Sequence, residues 1–191
     1  MKEIIKQLIN DSIETKKKLL TEEQIGTIEQ ISRKMLAAYA VGKKALVFGN
    51  GGSASDALHF AGELVSRFQK DRKALPAIAL NSNVSILTSI GNDYGYDKLF
   101  SRQVEALVGH GDIVIGISTS GKSPNVLAGI ETAKKAGAYT IGFSGERGTL
   151  KDITDICFCV PSPVTARIQE CHILAIHIIC HLIEDYIVEQ K

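Results

Sequence analysis

The chain has 191 residues, 45% hydrophobic and 23% charged, with 22 Lys and Arg against 21 Asp and Glu for a formal charge of +1. That length suits one domain with a substantial core, and the balanced charge leaves no global field to gather nucleic acid or an anionic membrane. No wholly apolar run reaches the roughly 18 residues of a membrane span, and Met1-Lys2-Glu3-Ile4-Ile5-Lys6 mixes charge with apolar residues unlike a signal peptide, so a cytoplasmic protein is expected.

Residues 1–42 read as a helical N-terminal extension. Ile4, Ile5, Leu8, Ile9 and Ile13 recur at helical spacing, and Leu19 and Leu20 lead into a second stretch with Ile25, Ile28, Ile31, Met35, Leu36 and Tyr39 on one side. Thr21 followed three residues on by Gln24 forms a capping box, and Gly42 is a stop. Apolar runs ended by small residues then alternate with helical periodicity. Strands are predicted over 45–48, 77–80, 112–117, 139–143 and 156–160. Helices are predicted over 54–68, 84–90, 96–108, 123–136 and 165–189. This alternation implies right-handed crossovers and an α/β fold, a three-layer αβα sandwich around a mostly parallel five-stranded sheet. No linker divides the chain, so residues 1–191 are expected to form a single domain. Cys157, Cys159, Cys171 and Cys180 lie in apolar segments without a C-x-x-C pair, and are expected to be buried free thiols.

In an open parallel sheet, ligands bind beyond the carboxyl ends of the strands. Two loops there have suitable chemistry. Gly49-Asn50-Gly51-Gly52-Ser53 lets backbone N–H groups approach an anion closely. It also fits the dinucleotide pattern G-x-G-x-x-A, but the second strand runs into Leu80-Asn81 without the acid that would hold a ribose, so no nucleotide cofactor is expected. The loop Ser118-Thr119-Ser120-Gly121-Lys122-Ser123 offers four hydroxyls ahead of Pro124 at a helix start, which suits a phosphate. From Gly116 to Ser123 it matches the Walker A pattern, yet Gly116 lies inside the apolar run and no later strand ends in an acid to stand behind magnesium. A serine-rich helix cap with no ligand is the plain alternative.

His59 and Glu63 are four residues apart on one helix and share a face, close enough to act on one substrate or one ion. The last helix carries Gln169, His172, His177 and His181 in a nearly all-apolar run, with His177 expected deepest, where an imidazole needs a partner or a function. Gln169 and His177 are eight residues apart, slightly over two turns, so one ligand can touch both.

Five strings stand in order: Gly49-Asn50-Gly51-Gly52-Ser53, Ala57-x-His59-Phe60-Ala61-x-Glu63-Leu64, Gly91-Asn92-Asp93-Tyr94-Gly95, the serine loop, and Ala166-Arg167-Ile168-Gln169-Glu170. In these motifs, and over essentially its full length, the chain resembles the bacterial phosphoheptose isomerases of the sugar isomerase (SIS) domain superfamily. The resemblance implies a flavodoxin-like sheet order and a cytoplasmic homotetramer with active sites at subunit interfaces. It implies an aldose–ketose isomerase converting sedoheptulose 7-phosphate to D-glycero-D-manno-heptose 7-phosphate for lipopolysaccharide, capsule or S-layer glycans. It makes Glu63 and His177 the acid–base pair. Ser118, Thr119, Ser120 and Ser123 would bind phosphate, and Asn50, Gly51, Gly52, Glu63, Asn92, Asp93 and Gln169 the sugar. It implies zinc on His59, Glu63, Gln169 and His177. One departure is Ala166, where some relatives carry an aspartate. Two other readings share the fold: the branch that binds the replication initiator DnaA but lacks the acid–base pair, and a sugar-phosphate-sensing module without turnover.

Overall fold

A computed structural model describes residues 1–189. Five strands, β1 (Ala45–Gly49), β2 (Ala77–Ala79), β3 (Ile113–Ser118), β4 (Tyr139–Gly145) and β5 (Ile156–Val160), form one all-parallel sheet in the order β2-β1-β3-β4-β5. Eight α-helices lie among the described residues: α1 (Lys2–Lys17), α2 (Glu22–Ala40), α3 (Gly52–Val65), α4 (Val84–Tyr94), α5 (Ser101–Leu107), α6 (Pro124–Lys135), α7 (Leu150–Ile153) and α8 (Thr165–Glu189).

Both faces of the sheet are covered, and the period-2 alternation of each strand divides its side chains between two cores. Val47, Ile115, Phe143 and Phe158 meet α2, α3 and α8 through Ile31, Met35, Phe60, Leu64, Ile176 and Ile179. Leu46, Phe48 and Val114 face the opposite layer of Ile90, Phe100, Val104, Val126, Ile130 and Leu150. The Phe48 and Phe100 rings stack there at 4.7 Å. By length and composition α8 could cross a bilayer, but here its Ile168, Cys171, Ala175, Ile176, Ile179 and Ile183 are buried against the sheet.

The order β2-β1-β3 reverses direction between β1 and β3, the switch point at which open sheets bind ligands. The loop after β1 opens α3 on one face and the loop after β3 opens α6 on the other, so both predicted loops border one crevice.

Most predicted elements are present with shifted ends. The helix predicted over 54–68 begins at Gly52 and ends at Val65; the Ser66 amide still bonds to the Gly62 carbonyl, and the Phe68 amide is held by the Glu184 side chain. The predicted helix over 96–108 is broken: after Gly95 (φ 86°) come a single 3₁₀ turn, Tyr96–Lys98, and then the short α5. The four-residue α7 was not foreseen, because so short a segment shows no periodicity. Thr21 caps α2 by accepting from the Gln24 amide at 3.3 Å, but the Gln24 side chain donates to the Cys159 carbonyl (3.0 Å) instead of closing the box. Cys171 and Cys180 are buried, whereas Cys157 and Cys159 on the edge strand are only half-buried.

The apolar stripe of α1 faces outward: Ile4, Ile5, Leu8, Ile9 and Ile13 are 44–65% exposed. The helix is tied to α8 by polar contacts. Arg167 donates to the Leu8 carbonyl (2.6 Å) and to Glu170, and Ser12 donates to the other Glu170 oxygen (2.6 Å).

Candidate active site

The serine loop forms a compact hydroxyl cluster at the end of β3. Ser118 Oγ lies 2.9 Å from Ser123 Oγ and 3.4 Å from Ser120 Oγ, and Ser120 Oγ accepts from the Lys122 amide at 3.2 Å. Gly121 turns the chain with φ 63°, and a Cβ there would strike the Arg147 carbonyl and Gly148. Ser123 occupies the N-cap of α6 yet makes no side-chain cap bond; its hydroxyl turns into the loop toward Ser118. This weakens the helix-cap reading, since a capping serine would spend its oxygen on the α6 amides. Gly116 sits mid-strand, paired with Phe48 and Gly142, where a Cβ would crowd Ile130 and Val126. That glycine serves the packing of α6 on the sheet, not a nucleotide-binding turn.

The first glycine loop is closed by side chains from distant segments, Asn81, Tyr96 and Asn125. Asn81, at the end of β2, accepts from the Gly49 amide (3.2 Å) and donates to its carbonyl (2.9 Å). Asn50 exchanges two hydrogen bonds with the buried Asn125 (2.8 and 3.0 Å), and its oxygen also accepts from the Tyr96 hydroxyl at 3.0 Å. Gly51 adopts φ 55°, and Gly52 opens α3 with its Cα against the Gln169 side chain.

The third group joins α3 to α8. His59 Nε2 lies 2.9 Å from Glu63 Oε1 and 3.2 Å from His177 Nε2, which is 118 residues away in sequence. One donor atom from each of the three residues lies within 4.8 Å of the other two. These contacts compete for protons: a hydrogen on His59 Nε2 serves Glu63 or His177, not both. Three convergent lone pairs on two imidazoles and a carboxylate, among the usual ligands of zinc, fit a divalent cation. Gln169 lies eight residues before His177 on α8, with its side chain against Gly52 at the start of α3.

His177 is half-buried, not the deepest histidine of α8. That position belongs to His172, which is 0% exposed, contacts the Ser144 carbonyl at 3.2 Å, and is pushed down to about 4 by loss of solvent. The reason is rotation: the sheet-facing stripe runs through His172, Ile176 and Ile179, and His177 lies about 100° around the helix, toward α3. His59 is exposed and Glu63 half-buried. One turn before His59, Asp56 has its carboxyl raised to about 6 by burial, with His59 pulling the other way.

Asn92 and Asp93 are not drawn into this cluster. They sit exposed at the end of α4, hydrogen-bonded to one another at 2.7 Å. Sequence reasoning missed Asn125, Tyr96 and Asn81, none of which lies in a recognisable string, and Phe68, whose ring packs 5.5 Å from that of His177.

Residues 9–145 match the SIS domain family. The phosphoheptose isomerase of Trichlorobacter lovleyi is 53% identical over 85% of this chain and 83% of its own length. That of Clostridium acetobutylicum is 50% identical over 100% and 98%. The structure of a phosphoheptose isomerase from Francisella tularensis superimposes with a TM-score of 0.92 at 36% identity, covering 96% of this chain and 97% of that one. The chain belongs to the phosphoheptose isomerase family of SIS-domain proteins. It is an enzyme, an aldose–ketose isomerase of sugar-phosphate metabolism.

Proposed function

We propose that this chain interconverts sedoheptulose 7-phosphate and D-glycero-D-manno-heptose 7-phosphate, by proton transfer through a cis-enediol. The observation that carries this reading is the meeting of Glu63 on α3 with His177 on α8, in a sheet whose switch-point loop opens α3. The phosphate is held by Ser118, Thr119, Ser120 and Ser123 and by the free amides at the start of α6. Asn50, Gly51, Gly52, Asn92, Asp93 and Gln169 orient the sugar chain. The Glu63 carboxylate takes a proton from C1 of the ketose and returns it to C2. His177 moves the other proton between the oxygens on those carbons, so the product is an isomer and no redox partner is needed. Each such group typically contributes about 10²–10⁴-fold. His59, Glu63, Gln169 and His177 would hold a zinc ion, which would supply positive charge beside the substrate oxygens.

The exposed apolar stripe of α1 supports burial of that face in a homotetramer, and the exposure of Asn92 and Asp93 supports a site completed at a subunit interface. We place the reaction in the cytoplasm, in the supply of activated heptose for lipopolysaccharide or related glycans. Binding of DnaA and sugar-phosphate sensing need no acid–base pair, and the convergence of Glu63 with His177 favours the enzyme over both.

The test is incubation of the purified chain with sedoheptulose 7-phosphate, with and without zinc, following the anomeric proton of the aldose by NMR. Growth of that signal supports the reading, and binding without any conversion overturns it.

A further inference from the structure

The site straddles two helices whose separation has to be held. Glu63 sits in the last turn of α3, which ends at Val65, and the following stretch up to β2 has no helix or strand. His177 sits on α8 two turns before Glu184. An irregular segment leaves its backbone groups without ladder or helix partners. Here two charged side chains, Arg72 and Glu184, each 1% exposed, provide them.

Arg72 donates from Nη2 to the carbonyl of Glu63 itself (2.7 Å), and from Nη1 to the carbonyls of Leu64 (2.7 Å), Ser66 (3.2 Å) and Lys73 (3.2 Å). The first three lie in or just past the last turn of α3, which leaves its carbonyls free and carries partial negative charge. Glu184 accepts from the amides of Phe68 (2.9 Å), Gln69 (2.6 Å) and Lys70 (2.6 Å). Arg72 Nε and Glu184 Oε1 face each other at 3.4 Å. Phe68, the first amide captured, places its ring 5.5 Å from the His177 ring. Burial pushes the Glu184 carboxyl upward, but the Lys70, Gln69 and Phe68 amides and Arg72 outweigh it and hold it below the usual carboxylate range.

A buried ion pair is a poor device for stability alone, because packed apolar residues often do as well. What this pair provides is a rigid connection from the Glu63 carbonyl, through the loop, to α8. We infer that Arg72 and Glu184 are positioning residues, a clamp that sets the separation of Glu63 and His177 and the packing of Phe68 on His177. The catalytic consequence rests on the function proposed above, while the geometric one does not.

The test compares the full chain with Glu184→Gln, Arg72→Lys and the double variant Arg72→Met/Glu184→Leu, which strands no charge if a single variant fails to fold. Three quantities are measured: kcat and KM for sedoheptulose 7-phosphate, the thermal midpoint, and the ring resonances of isotope-labelled His177 in metal-free protein. The expected result is a folded protein whose kcat falls about tenfold to a hundredfold, as for a misplacement on the order of 1 Å. KM should change by less than about threefold, because the serine loop is attached to other elements. The His177 resonances should shift or broaden. Folded variants that keep kcat within about twofold and leave those resonances unmoved overturn the clamp, as does a loss of activity that only tracks the folded fraction. If the parent chain shows no turnover, the proposed function fails, and the His177 resonances alone decide the clamp.

Discussion

The side-chain amide of Gln169 packs on the Cα of Gly52, so close that a Cβ there would overlap its Nε2. The first residue of α3 and the fifth residue of α8 are thereby in contact. Gly52 has no left-handed φ, and the obstructing group is the end of a flexible side chain, so Gly52→Ala is expected to fold normally. Gln169 must swing aside in that variant. We expect kcat/KM to drop by about tenfold or more, with a melting temperature near that of the parent. A variant of full activity would remove Gln169 from the site.

Glu63→Gln keeps the shape of the side chain and removes the proposed base. Turnover should fall by about 10²–10⁴-fold while titration calorimetry still detects substrate binding. Near-normal activity would sink the assignment of Glu63.

The convergence of His59, Glu63 and His177 predicts one zinc ion per chain. Chelation should slow the reaction and added zinc restore it. His59→Ala should weaken zinc binding, measured by competition with a chromophoric chelator. Unchanged affinity in that variant would place the ion elsewhere.

Ser118 and Ser123 hydroxyls are 2.9 Å apart, facing the loop instead of the α6 amides. On the proposed phosphate contact, Ser123→Ala removes a hydrogen bond to a charged group, a loss of about 1.5–3 kcal/mol. The prediction is a KM raised about tenfold or more, with kcat changed far less, and no loss of helix content by circular dichroism. An unchanged KM would return Ser123 to a purely structural role.

His172 predicts an acid limb in stability. An unfolded histidine takes up its proton near 6.5, whereas burial holds the folded residue to about 4. Between these values the unfolded chain binds the extra proton, so stability is full above 6.5 and declines as pH falls toward 4. The slope from this residue is about 1.4 kcal/mol per pH unit. Urea midpoints measured over that range should show it, and His172→Leu should flatten it. An identical slope in the variant would assign the acid sensitivity to other groups.

Sequence periodicity located every strand of the sheet, because the central strands are buried on both faces and the edge strands β2 and β5, though half-buried, are short apolar runs as well. The glycine and serine loops were legible for a related reason: tight turns and anion contacts demand particular residue types in consecutive positions, as at Gly51 and Gly121. The pair of His59 and Glu63 was legible because helical spacing alone places them on one face.

Contacts between distant segments were not legible. Nothing in a linear string indicates that Asn125 holds Asn50, that Asn81 closes on Gly49, or that Arg72 meets Glu184, since each contact is produced by two elements docking. The order of burial among the histidines of α8 was decided the same way. An all-apolar helix hides its rotation, and only its seating between the sheet and α3 put His172 in the core and turned His177 toward His59. The sequence by itself determined which groups were available for chemistry and on which elements they ride. The tertiary structure alone decided which of them meet, because meeting depends on the relative placement of α3 and α8, which local propensity does not encode.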